Sequence, residues 1–102
     1  MKREKLPNGP PWDPRPRLME IEPMMIDGAP WWPLQAVCHA FRVSTQDASR
    51  TILPGHKRKV RLRLSKYDLR TYGYISAEGI EDLCRRWSRI PRHEIMAALH
   101  RL

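Results

Sequence analysis

Residues 24–41 read Met24-Met25-Ile26-Asp27-Gly28-Ala29-Pro30-Trp31-Trp32-Pro33-Leu34-Gln35-Ala36-Val37-Cys38-His39-Ala40-Phe41. An Asp-Gly pair between two short apolar runs is the strongest local hairpin signal, because both turn positions call for positive φ. Met24-Met25-Ile26 and Trp31-Trp32 are therefore expected to pair. Pro30 and Pro33 bound the second strand, which makes it short and places it at a sheet edge. At Leu34 the period changes. Leu34, Val37, Cys38 and Phe41 recur at i, i+3, i+4, i+7, one buried stripe of a helix.

Working outward toward the C-terminus, Arg42-Val43-Ser44 interrupts that stripe and a second short helix follows. Ser44 is its natural N-cap, with Asp47 three residues on, and Ala48, Thr51 and Ile52 are its inward positions. Pro54-Gly55 ends it. Between Arg50 and Lys66 stand seven Lys or Arg residues and no acid. Val60-Arg61-Leu62-Arg63-Leu64 alternates, so the leucines are expected to face a core and the arginines solvent. Tyr72-Gly73-Tyr74-Ile75 is the return strand, joined through residues 66–71. Ser76 then caps a helix with the stripe Ile80, Leu83, Cys84, Trp87. Its adjacent acids Glu81 and Asp82 are expected on a solvated face. Pro91 opens a last helix carrying Ile95, Leu99 and Leu102.

Toward the N-terminus, five of the first 17 residues are proline, so residues 1–17 read as a flexible basic arm that cannot be helical. Trp12 is its one large anchor. Residues 18–102 then form a single winged-helix-like domain. The chain has 102 residues, 19 Lys and Arg against 11 Asp and Glu, and a formal net charge of +8. That length holds one core. The charge favours a polyanionic or acidic partner. No apolar run is long enough to cross a membrane and no secretory signal opens the chain, which places it in the cytoplasm.

Catalytic motifs are absent, so no enzyme activity and no cofactor are expected. Cys38-His39, Cys84 and His93 lack the close ligand pairs of a metal site, and both cysteines fall on apolar stripes. The nucleic-acid reading draws on three features. Residues 34–53 have the spacing of a helix-turn-helix whose second helix enters a major groove. Thr45, Gln46, Ser49 and Arg50 are its outward residues, Gln suited to adenine and Arg to guanine. A basic wing-like hairpin follows, with Lys57, Arg58, Lys59, Arg61, Arg63 and Lys66 as phosphate contacts. Lys2, Arg3, Lys5, Arg15 and Arg17 would make the arm a minor-groove element. The turn of the helix pair ordinarily takes a small residue with positive φ, and here it offers Arg42 at a cost of roughly 1 kcal/mol.

The stretch from Ile26 to Phe41 resembles the opening of the phage antirepressor N-terminal (BRO-N-like) domain, an Asp-Gly-x-Pro-aromatic hairpin running into a helix. Ile75-Ser76-Ala77-Glu78-Gly79-Ile80 resembles the Ser-Glu-x-Gly-like helix start that follows a strand in that group, so the likeness spans residues 21–88. Phe41-Arg42 stands where the group has a Leu-Gly pair. The resemblance implies a viral or prophage regulator, usually with a separate C-terminal domain for which this chain is too short. It also implies an alternative: a small antirepressor or inhibitor gripping a repressor or host protein, with Trp31 or Trp32 as contact residues. The expectation is thus a single α+β domain with an N-terminal hairpin, a helix-turn-helix-like pair, a basic wing and two C-terminal helices. It would bind double-stranded DNA in a bacterial host cell, with room for a homodimer.

Overall fold

The computed structural model describes residues 13–100, which form an α+β domain of five α-helices and a four-stranded antiparallel sheet. Asp27 (φ 53°) and Gly28 (φ 81°) both take positive φ, the pattern of a type I′ turn. They join β1 (Met24–Ile26) to β2 (Ala29–Pro33). Helix α2 (Leu34–Phe41) follows without a gap and buries Val37, Cys38, Ala40 and Phe41. Arg42 does adopt the left-handed conformation (φ 56°, ψ 44°) at the end of α2. Its N–H donates to the His39 carbonyl and that of Val43 to the Cys38 carbonyl, the paired bonds of a Schellman ending. Helix α3 (Thr45–Thr51) starts where Ser44 Oγ accepts from the Asp47 N–H at 3.1 Å.

A 3₁₀ turn (Pro54–His56) leads into β3 (Lys57–Ser65) and β4 (Asp68–Ser76), and the sheet order is β1-β2-β4-β3. Ser76 Oγ accepts from the Gly79 N–H and opens α4 (Ala77–Trp87), after which α5 (Arg92–Leu99) completes the order. The core joins Trp32 and Ile75 of the sheet to Phe41, Ala48, Ile80, Leu83 and Ile95 of the helices. None of the described helices is long and apolar enough to cross a membrane.

Several expectations change. Residues 1–12, with Trp12, and residues 101–102, with Leu102, lie outside the described residues. Within the supposed arm, α1 (Arg15–Met19) is helical, with Pro14 as its N-cap and Leu18 fully buried. Proline is tolerated in a first turn because its missing N–H would have had no partner there. Arg15 fixes the segment by bridging Asp13 (2.6 Å) and Glu94 of α5 (2.9 Å). The Arg15 guanidinium also holds the Asp13 carboxyl below the usual range.

β2 is not an edge strand. It pairs with β1 through residues 29–31 and with β4 through residues 31–33, so Pro33 ends the β4 ladder and Pro30, in the middle pair of the β1 ladder, lies outside the β4 ladder. The β3–β4 hairpin is longer than expected: β4 begins at Asp68, and only residues 66 and 67 separate the strands. A ladder needs a partner strand, not a core, to satisfy its backbone groups. Val60 and Leu62 are accordingly half-buried and lie outside the core cluster. Asp82 is also not solvated. At 5% exposure, its Oδ2 accepts from the Leu53 N–H at 3.1 Å and meets His56 Nδ1 at 2.7 Å.

Candidate nucleic-acid interface

Alternation sorts the hairpin into two faces. Lys57 Nζ donates to the Ser49 carbonyl of α3 at 2.9 Å, and Gly73 lies against Leu34 of α2. The register pairs Lys57 with Ile75, Lys59 with Gly73, Arg61 with Thr71 and Arg63 with Leu69. These residues share the face on which the helices pack. The other face carries Arg58 with Tyr74, Val60 with Tyr72, and Leu62 with Arg70. Tyr74 is buried yet stands outside the helical core cluster, which agrees with its position on that far side.

Helix α3 is anchored from beneath. Ala48 is fully buried, Ile52 nearly so, and Thr51 Oγ1 accepts from Trp87 Nε1 at 3.2 Å. With that side committed, Thr45, Gln46 and Arg50 are exposed and Ser49 is half-buried. All four border an open groove of about 1050 Å³, whose opposite wall includes Lys59 and Thr71 of the hairpin. Arg50 also borders a smaller recess with Asp47 and Arg86.

The expected site residues therefore divide. Thr45, Gln46, Ser49, Arg50 and Lys59 come together around one groove. Arg61 and Arg63, both exposed, extend the same face outward, and Arg63 Nη1 donates to the Lys66 carbonyl at 3.1 Å. Lys66 sits at the hairpin tip with Nζ 5.7 Å from the Tyr67 ring. Lys57 is half-buried and bonded to α3, so its ammonium ties two elements together. Arg58 belongs to the far face, its guanidinium 5.3 Å from the Trp31 ring centroid and 3.5 Å from Asp27 Oδ2.

Of the two tryptophans, Trp32 is not a surface residue. It is 2% exposed and packs edge-on to His100 at 5.8 Å, because its β2 position faces the core. Trp31 is half-buried under Arg58. Burial pushes the Cys38 thiol up to about 11 and the Cys84 thiol up to about 12, so neither is a thiolate near neutral pH. Thr71 and Arg86 were missed as neighbours of the site. By sequence pattern Thr71 belongs to the connection between the strands, and Arg86 reads locally as a cation suited to the C-terminal end of its helix. Comparison of the chain with known proteins finds no matching family model, no matching curated protein and no matching solved structure.

Proposed function

We propose that the chain is a duplex-DNA-binding regulator, with α3 as the base-reading helix and the β3–β4 hairpin as a phosphate-tracking wing. The observation that carries this reading is the shared groove. Gln46 and Arg50 stand exposed on one side of it, and Lys59 on the other begins a row continued by Arg61 and Arg63. Gln and Arg have the bidentate geometry for adenine and guanine edges, whereas a row of strand cations positions without discriminating. Five cations along the edge strand β3 also discourage strand addition by another protein chain. The resemblance of residues 26–41 and 75–80 to the BRO-N-like group adds the expectation of a phage or prophage protein acting in the bacterial cytoplasm.

The experiment is selection from a random duplex pool, followed by titration of the enriched site at several salt concentrations. Arg50→Ala is expected to cost about 1–3 kcal/mol at the preferred site and to relax base choice there. Loss of affinity to the same extent on every duplex would reduce the protein to a general polyanion binder.

The far face supports a second reading, capture of a repressor or host protein. It pairs the Arg58 guanidinium with Trp31 beside Tyr74, residue types enriched in protein interfaces. That reading predicts a stoichiometric complex with one polypeptide, weakened by Trp31→Ala and unaffected by Arg50→Ala.

A further inference from the structure

The distal hairpin carries a feature that a phosphate-tracking wing does not need. Beyond the Pro33–Tyr74 pair, β4 has only β3 as a strand neighbour, so the two strands run on together as an arm. At the end of this arm Tyr67 is 90% exposed and Leu69 is 48% exposed. Leu69 pairs with Arg63 and shares the α3-side face with Arg61, Arg63 and Thr71. A register shift lies between Arg63 and Ser65, next to the tip that carries the two apolar side chains. Asp68, the only acid between Arg58 and Ile75 in the sequence, is paired with Arg70 Nε at 2.9 Å.

Reach decides what such a tip can touch. From Lys59 at the groove the strand advances about 20 Å to Ser65, at roughly 3.3 Å per residue, with Tyr67 in the turn just beyond and Leu69, opposite Arg63, about 13 Å out. Half a turn of B-DNA, the distance from a major groove to the neighbouring minor groove, is about 17 Å. With α3 in one groove, the arm is long enough to bring its tip to the next. Cations on the inward row would cross the intervening phosphates, and the tip would meet base edges in a groove that apolar side chains enter by unstacking a step.

We propose that Leu69 and Tyr67 form an apolar wedge that enters the minor groove beside the major groove held by α3 and opens one base step, bending the duplex. The inference rests on the duplex-binding reading above and names a second contact for the same surface. Pyrimidine–purine steps, which unstack most easily, are the expected targets.

The test uses the full chain and a duplex of about 30 base pairs carrying the selected site, end-labelled for energy transfer, with binding followed in parallel by gel shift. The wild-type complex is expected to bring the labelled ends closer, by a bend within the range of about 20–90° seen with inserted side chains. The Tyr67→Ala/Leu69→Ala double variant should still bind, within about tenfold, and leave the duplex straight. Leu69→Met should keep the bend, and Tyr67→Ala alone gives the same comparison if the double variant does not fold. A straight wild-type complex, or a bend that survives in the folded double variant, overturns the wedge and leaves duplex binding intact. No duplex complex in the gel overturns both readings, and a tip-dependent complex with a protein alone does the same.

Discussion

The root and the arm of the β3–β4 hairpin have similar residues and opposite situations. At the root, Lys57 is half-buried with its ammonium on the Ser49 carbonyl, and Ile75 opposite is fully buried in the core. Farther out on the same face, Arg61 and Arg63 are exposed opposite Thr71 and Leu69. Side-chain type therefore does not assign a task. A cation at the root stabilises the domain, whereas one on the arm is available to a partner, and the difference is set by where the strands leave the helical layer.

The largest effect should come from the arm. Reversing Arg61 and Arg63 to Glu is expected to weaken duplex binding by about 100-fold or more, roughly 3 kcal/mol, with the thermal midpoint almost unchanged. A large fall in that midpoint would show that the arm is part of the stabilising layer and erase the contrast. Next comes the support beneath the root. Asp82→Ala strands the Leu53 N–H and His56 Nδ1, and should cost about 2–3 kcal/mol in denaturant unfolding. An unchanged midpoint would mean that the turn before β3 is held by other contacts. The smallest effect is the most discriminating. Lys57→Ala should cost about 1 kcal/mol of stability and leave the salt slope of binding unaltered. Lys59→Ala should leave stability alone and lower that slope by about one. Equal slopes for the two variants would put Lys57 back among the phosphate contacts.

What could be read from residue order alone was what local chemistry decides. Asp27-Gly28 specifies its own turn, Ser44 and Ser76 cap their helices, and the apolar stripes of α2 and α4 choose their buried faces. Even the left-handed Arg42 was foreseeable from the spacing of the two helices. What escaped depended on distant partners. Asp82 looks like a solvated acid until His56 and Leu53 arrive against it from the other side of the sheet hairpin. Leu18 turns a proline-rich segment into a helix because α2 and α5 provide a place to bury it. For the candidate interface, the outward residues of α3 were legible from helical period. The division of the hairpin cations between two faces was not, because alternation separates odd from even positions without saying which set meets the helices.

An arm that pairs only with itself also has a length that can vary independently of the core. Adding or removing two residues on each strand near Tyr67 changes its reach by about 7 Å, keeps the tip on the same face and leaves the pairs nearer the root in register. An unmatched single insertion in β3 would instead turn the outer cations to the opposite face. The spacing between two contacts on a partner could thus be retuned by symmetric changes at the tip, while an unbalanced change would break the facing of the outer residues.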